Sequence, residues 1–75
     1  MQLNDQKIAD AVLALLAAFS FDEGRAWKGF DFEVIDQLFA DGFVLDPKGK
    51  TKSLQLTPAG LQRGRELAQH FFGAP

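Results

Sequence analysis

The absence of cysteine constrains this chain more than anything it contains. Its 75 residues must hold together without a disulfide or a thiolate-ligated zinc. A chain of this length buries only about 60% of the surface its unfolded form exposes, so the core is thin. Bracing must come from apolar packing or from a second subunit. Apolar residues make up 47% of the sequence, with eight Phe and one Trp, which suits one globular domain over residues 1–75. The longest apolar run is "AVLALLAAF", residues 11–19. It is too short for a bilayer, which takes about 20 residues. No basic segment precedes it and no small-residue cleavage site follows. No signal peptide is therefore expected, and the default location is cytoplasmic.

Helical spacing marks the first element, from about Asp5 to Phe19. Asn4 or Asp5 can cap it, and Ile8, Val12, Leu15, Leu16 and Phe19 form one apolar stripe. Leu13 lies off that stripe among alanines, so the helix needs covering on more than one side. The connector "SFDEGRAWKG" follows and reads as a loop or a very short strand between Gly24 and Gly29.

The next helix runs from about Phe32 to Asp41, with Asp31 as its N-cap. Phe30 and Ile35 occupy the two positions of a hydrophobic staple. Gly42 is placed to end the helix in the left-handed conformation, with Phe43 packing back on Leu38. "FVLD" and "SLQL" then read as the strands of a hairpin around the turn "PKGKTK". In "LTPAGL", Thr57 is an N-cap, Pro58 takes the first helical position, and Leu56 and Leu61 form a second staple. This last helix continues to Phe71 or Phe72. Leu61, Leu67, Ala68, Phe71 and Phe72 form its apolar side. Gly64 lies inside it, where Gly costs about 1 kcal/mol relative to Ala, so a close neighbour is expected there, and the first helix, itself rich in Ala, is expected to pack on this one.

The order of helix, helix ending in "LFADGFV", two-stranded wing and "LTPAG" helix start resembles the winged-helix family across residues 34–67. That resemblance implies an α+β fold, a truncated winged-helix-like domain. It also carries the expectation of a DNA-binding transcriptional regulator as an alternative function. A second resemblance spans nearly the whole chain. "RAWKGFDF" and "DPKGKTKSLQLT" are similar to a family of short bacterial proteins known as a domain of unknown function, with an R-A-W-K-G-F-D-W-like motif. Phe32 stands in the place of that motif's second tryptophan, and Phe39 in the place of a histidine. The family implies no activity.

Charge argues against nonspecific nucleic-acid binding: the net charge is -2 and the pI about 5.1. The helix before the wing carries Asp31, Glu33, Asp36 and Asp41 and neither Lys nor Arg. Carboxylates are repelled by phosphates, and Gln37 alone there is of a type that commonly reads bases. In the DNA-binding alternative, Lys48, Lys50 and Lys52 of the wing would anchor phosphates. Otherwise they guard a hairpin edge against aggregation. Enzymatic chemistry finds little. Nothing pairs two carboxylates in a cleft, Ser20 and Ser53 have no elbow motif, and the glycines match no phosphate loop. His70 is the only histidine, a poor start for a metal site. No enzyme activity, cofactor or metal is expected.

The leading expectation is a non-enzymatic protein-interaction module that forms a homodimer, with an unknown protein partner also possible and no membrane. Its candidate interface is Leu13, Gly60, Gly64, Ala68, Phe71 and Phe72, because small residues at 60, 64 and 68 let a helix approach closely. Arg25, Trp27, Lys28, Phe30 and Asp31 are expected to be a structural motif. Trp27 would be buried, with Arg25 and Lys28 laying their stems on apolar surface and their charges in water.

Overall fold

A computed structural model describes residues 1–47 and 52–74. The elements in chain order are α1 (Asp5–Ala18), β1 (Arg25–Trp27), α2 (Phe32–Ala40), β2 (Ser53–Gln55) and α3 (Pro58–Phe72). The class is α+β, as expected. α1 packs chiefly against α3 and also touches α2 and β1.

Local hydrogen bonding sets the helix ends where the sequence places them. Asn4 accepts from the Lys7 amide and Asp31 from the Glu33 amide. At the end of α2, Gly42 adopts φ +83°. The Phe43 amide donates to Leu38 O at 2.9 Å and the Gly42 amide to Phe39 O at 3.0 Å, the paired bonds of a Schellman end. Thr57 does two jobs. Its Oγ1 accepts from the Gly60 amide at 2.9 Å and donates to Gly42 O at 2.7 Å, tying the start of α3 to the end of α2. Thr57→Ala removes both bonds. It should cost about 1–2 kcal/mol, typical of a lost N-cap, and lower the melting temperature by several degrees in a thermal scan.

Strand pairing departs from the expected hairpin. β2 pairs antiparallel with β1, in the register Arg25↔Gln55, Ala26↔Leu54 and Trp27↔Ser53. The "FVLD" run contributes one bridge, Val44↔Leu56, and the Leu45 amide donates to Gln55 O at 2.9 Å. The reason is the core. Ala26, Leu54, Val44 and Leu56 are all buried, and Ala26 and Leu54 are paired across the two strands. The turn expected at residues 48–51 lies outside the described residues.

The buried face of α1 also differs from the expected stripe. Ala9, Val12, Leu13, Ala14, Leu16 and Ala17 are buried, whereas Leu15 is half-buried and Phe19 is 75% exposed. Three neighbours cover the helix, so its alanines are inside. Leu13, Leu16, Leu38 and Val44 are the largest fully buried side chains.

Candidate functional site

The small residues of α3 are spent inside the chain. A Cβ at Gly64 would lie 2.6 Å from Ala17 Cβ and 2.9 Å from Leu13 O, so α3 rests on the backbone of α1. At Gly60 a Cβ would run into the Phe43 carbonyl. Leu13, Gly60 and Gly64, expected at an intermolecular interface, are buried within one chain, and this is a correction. The expected packing of the first and last helices on each other is present, and it uses up the small residues that were also assigned to an interface. Ala68 is half-buried and packs against the core. Phe71 and Phe72 remain 44% and 55% exposed.

The motif residues around Trp27 are differently placed from expectation. Trp27 is 64% exposed, where burial was expected. It alternates with Ala26, which takes the inward position of β1, so the Trp27 side chain leaves on the opposite face. Phe21 lies against the Trp27 ring, with centroids 5.1 Å apart and planes at 40°. The cations are also not simply in water. Arg25 donates from Nη2 to Ser53 Oγ at 2.7 Å, and Lys28 from Nζ to Pro47 O at 2.6 Å. Asp31 keeps its expected role as N-cap of α2.

What these residues build is an apolar face. Leu15, Leu16 and Phe19 of α1, Ala26 and Trp27 of β1, and Gly29 and Phe30 after it line a groove of about 320 Å³. Phe30 is shared with a second groove of about 400 Å³, lined by Lys28, Phe32, Ile35, Asp36 and Pro47. Phe19, Trp27, Phe30 and Phe32 thus form one exposed run of rings across both grooves. Phe32 is 74% exposed. Periodicity could not reveal this face, because its residues come from α1, β1 and the start of α2. The density of aromatics in "RAWKGFDF" was the available signal.

For the DNA-binding alternative, Lys52 is exposed, and Lys48 and Lys50 lie outside the described residues. Glu33, Asp36 and Asp41 on and beside α2 are exposed. Among the described residues no group of three His, Cys, Asp or Glu could hold a metal, and no helix is long and apolar enough to cross a membrane.

Comparison with known proteins places this surface in a family context. A family model described as a domain of unknown function (DUF6429) matches residues 4–74. The chain is similar to an uncharacterized protein, y4hR, of Sinorhizobium fredii (strain NBRC 101917 / NGR234), with 47% identity over 72 residues, covering 96% of this chain and 97% of that one. No solved structure matches the chain, and nothing confirms the expected winged-helix resemblance.

Proposed function

The chain belongs to the family described as a domain of unknown function (DUF6429), and we propose that this member is a non-enzymatic protein-interaction module that works as a homodimer. The observation that carries the reading is the exposed run Phe19, Trp27, Phe30 and Phe32 around an apolar groove. Contiguous exposed apolar surface marks association sites in soluble domains, and aromatics are enriched at them. The area suits a second copy. With about 150–250 Å² per aromatic side chain, these four exposures amount to roughly 500 Å². One partner in a standard-size interface contributes about 800 Å², and in homodimers about 65% of the interface is apolar.

Light scattering at micromolar concentration tests this. The expected mass is twice 8.3 kDa, with the Trp27 emission moving to the blue as concentration rises. A mass of 8.3 kDa at high concentration, with water-like emission throughout, would overturn the reading. The same samples should show no shift of duplex DNA at about 50 mM salt, where phosphate contacts are strongest. A shift that is lost when Lys48, Lys50 and Lys52 are changed together to Gln would replace the module by the DNA-binding alternative. That triple change itself should move the melting temperature by only a few degrees, since surface changes are each worth under about 0.5 kcal/mol.

A further inference from the structure

The geometry points to a specific way for two copies to meet: we propose that the Trp27–Gly29 segments of two molecules pair as antiparallel strand edges, with each groove beside Trp27 taking aromatic side chains of the other copy. This rests on the homodimer reading above and assigns its surface.

The argument starts from the register of the sheet. The Lys28 amide donates to Lys52 O at 2.9 Å, and the Leu56 amide donates to Gly24 O at 2.8 Å. In an antiparallel ladder, hydrogen-bonded and non-hydrogen-bonded pairs alternate. Residues 24, 26 and 28 therefore turn their backbone groups towards β2, and residues 25 and 27 turn theirs away from it. Arg25 has a partner on that outer side. Its amide donates to Phe21 O and its carbonyl accepts from the Phe21 amide, both at 2.7 Å. Trp27 has no corresponding neighbour among the described residues. The outer edge of β1 is thus closed at Arg25 by its own chain and left open at Trp27.

An open edge is usually guarded by charge, proline or a covering element, because it recruits other strands. Here it has the opposite surroundings. The groove of about 320 Å³ lies between it and α1, and its lining of Leu15, Leu16, Phe19, Ala26, Trp27, Gly29 and Phe30 offers apolar side chains throughout. Gly29 adds room, because a Cβ built there would meet nothing within 4 Å. Glycine at such a place lets another backbone come close. The charge within the segment, Lys28, is held by Pro47 O of its own chain. Strand addition of this kind draws affinity from main-chain bonds and selectivity from pockets beside them. Because β1 would pair with a copy of itself, the patch is self-complementary, the condition for a closed twofold dimer rather than a filament.

Gly29→Pro is the discriminating variant. It removes the N–H that a paired edge would use at residue 29. The expected result is a dimer dissociation constant raised at least tenfold, with an unchanged circular dichroism spectrum. Phe71→Ser with Phe72→Ser, on the exposed end of α3, should leave the dissociation constant within twofold. In the wild type, hydrogen exchange of the Trp27 amide should slow at least tenfold between concentrations below and above dimerisation. That measurement decides the matter if Gly29→Pro proves unfolded. A dimer in which the Trp27 amide exchanges equally fast at both concentrations overturns the strand-edge pairing while leaving the homodimer standing. Loss of the dimer in the Phe71 and Phe72 variant, with Gly29→Pro still dimeric, has the same consequence. A monomer at every concentration removes both proposals.

Discussion

Gly64→Leu should leave the chain unfolded at room temperature. α3 comes very close to α1 at this position, where even a methyl group would lie 2.6 Å from Ala17 Cβ and 2.9 Å from Leu13 O. The carbonyl is backbone and cannot step aside, so α3 must lift from α1. Overpacking of a core costs about 1–3 kcal/mol and occasionally more. Gly64→Ala should fall near the top of that range and Gly64→Leu beyond it. A domain of 75 residues has on the order of 4–11 kcal/mol in total, at about 0.05–0.15 kcal/mol per residue. The α1–α3 contact is its main helix packing, so lifting α3 opens most of the core. Gln62→Leu on the exposed side of α3 should change stability by less than about 0.5 kcal/mol. Urea titrations followed by circular dichroism check both. A folded Gly64→Leu protein with native stability would show that the helices are further apart than described.

Leu13→Ala is the second large effect. Leu13 has 0% exposure and sits where α1 meets α3, with its Cγ 3.4 Å from where a Gly64 Cβ would be. Truncating it removes a buried isobutyl group and leaves a cavity in a core that has few side chains with which to collapse. The expected loss is about 3–5 kcal/mol, the upper part of the range for buried Leu→Ala. If Leu13 instead faced a second subunit, the same change would lower stability only at concentrations where the dimer forms. A denaturation midpoint that falls equally at low and high protein concentration supports burial within one chain. Leu15→Ala, two residues on and round the far side of the helix, where the side chain is half-buried, should cost markedly less.

These two residues also show where reading the sequence stops. Gly64 announced itself, because a glycine inside a helix needs a close neighbour, but the neighbour's identity was not in the helix. An alanine-rich α1 offers several faces to a periodicity argument. The expected stripe held Val12 and Leu16, which are buried, together with Leu15 and Phe19, which are not, and it left out Leu13, which is fully buried. Which face turns inward depends on three elements arriving at once: α3 through Gly64, α2 through Ile35 and Leu38, and β1 through Ala26.

The sequence by itself determined the helix boundaries and their ends. The capping bonds of Asp31, Gly42, Phe43 and Thr57 span at most five residues, and Pro58 suits the first helical position by its fixed φ, so each carries its own instruction; only the second bond of Thr57, to Gly42 O, reaches across the chain. Class and element order followed from those stops. Tertiary structure alone decided the strand pairing, the exposure of Trp27 and the aromatic face. Arg25–Trp27 and Ser53–Gln55 meet across a separation of about thirty residues with α2 between them, and nothing local to either strand names its partner. Once Ala26 faces Leu54 in the core, the pleat of β1 forces Trp27 to the other side, and Phe19 and Phe30 join it only because α1 and the start of α2 converge there. A residue's type sets what burial or exposure is worth, but the side to which it points is fixed by the partners of its strand or helix, and those lie elsewhere in the chain.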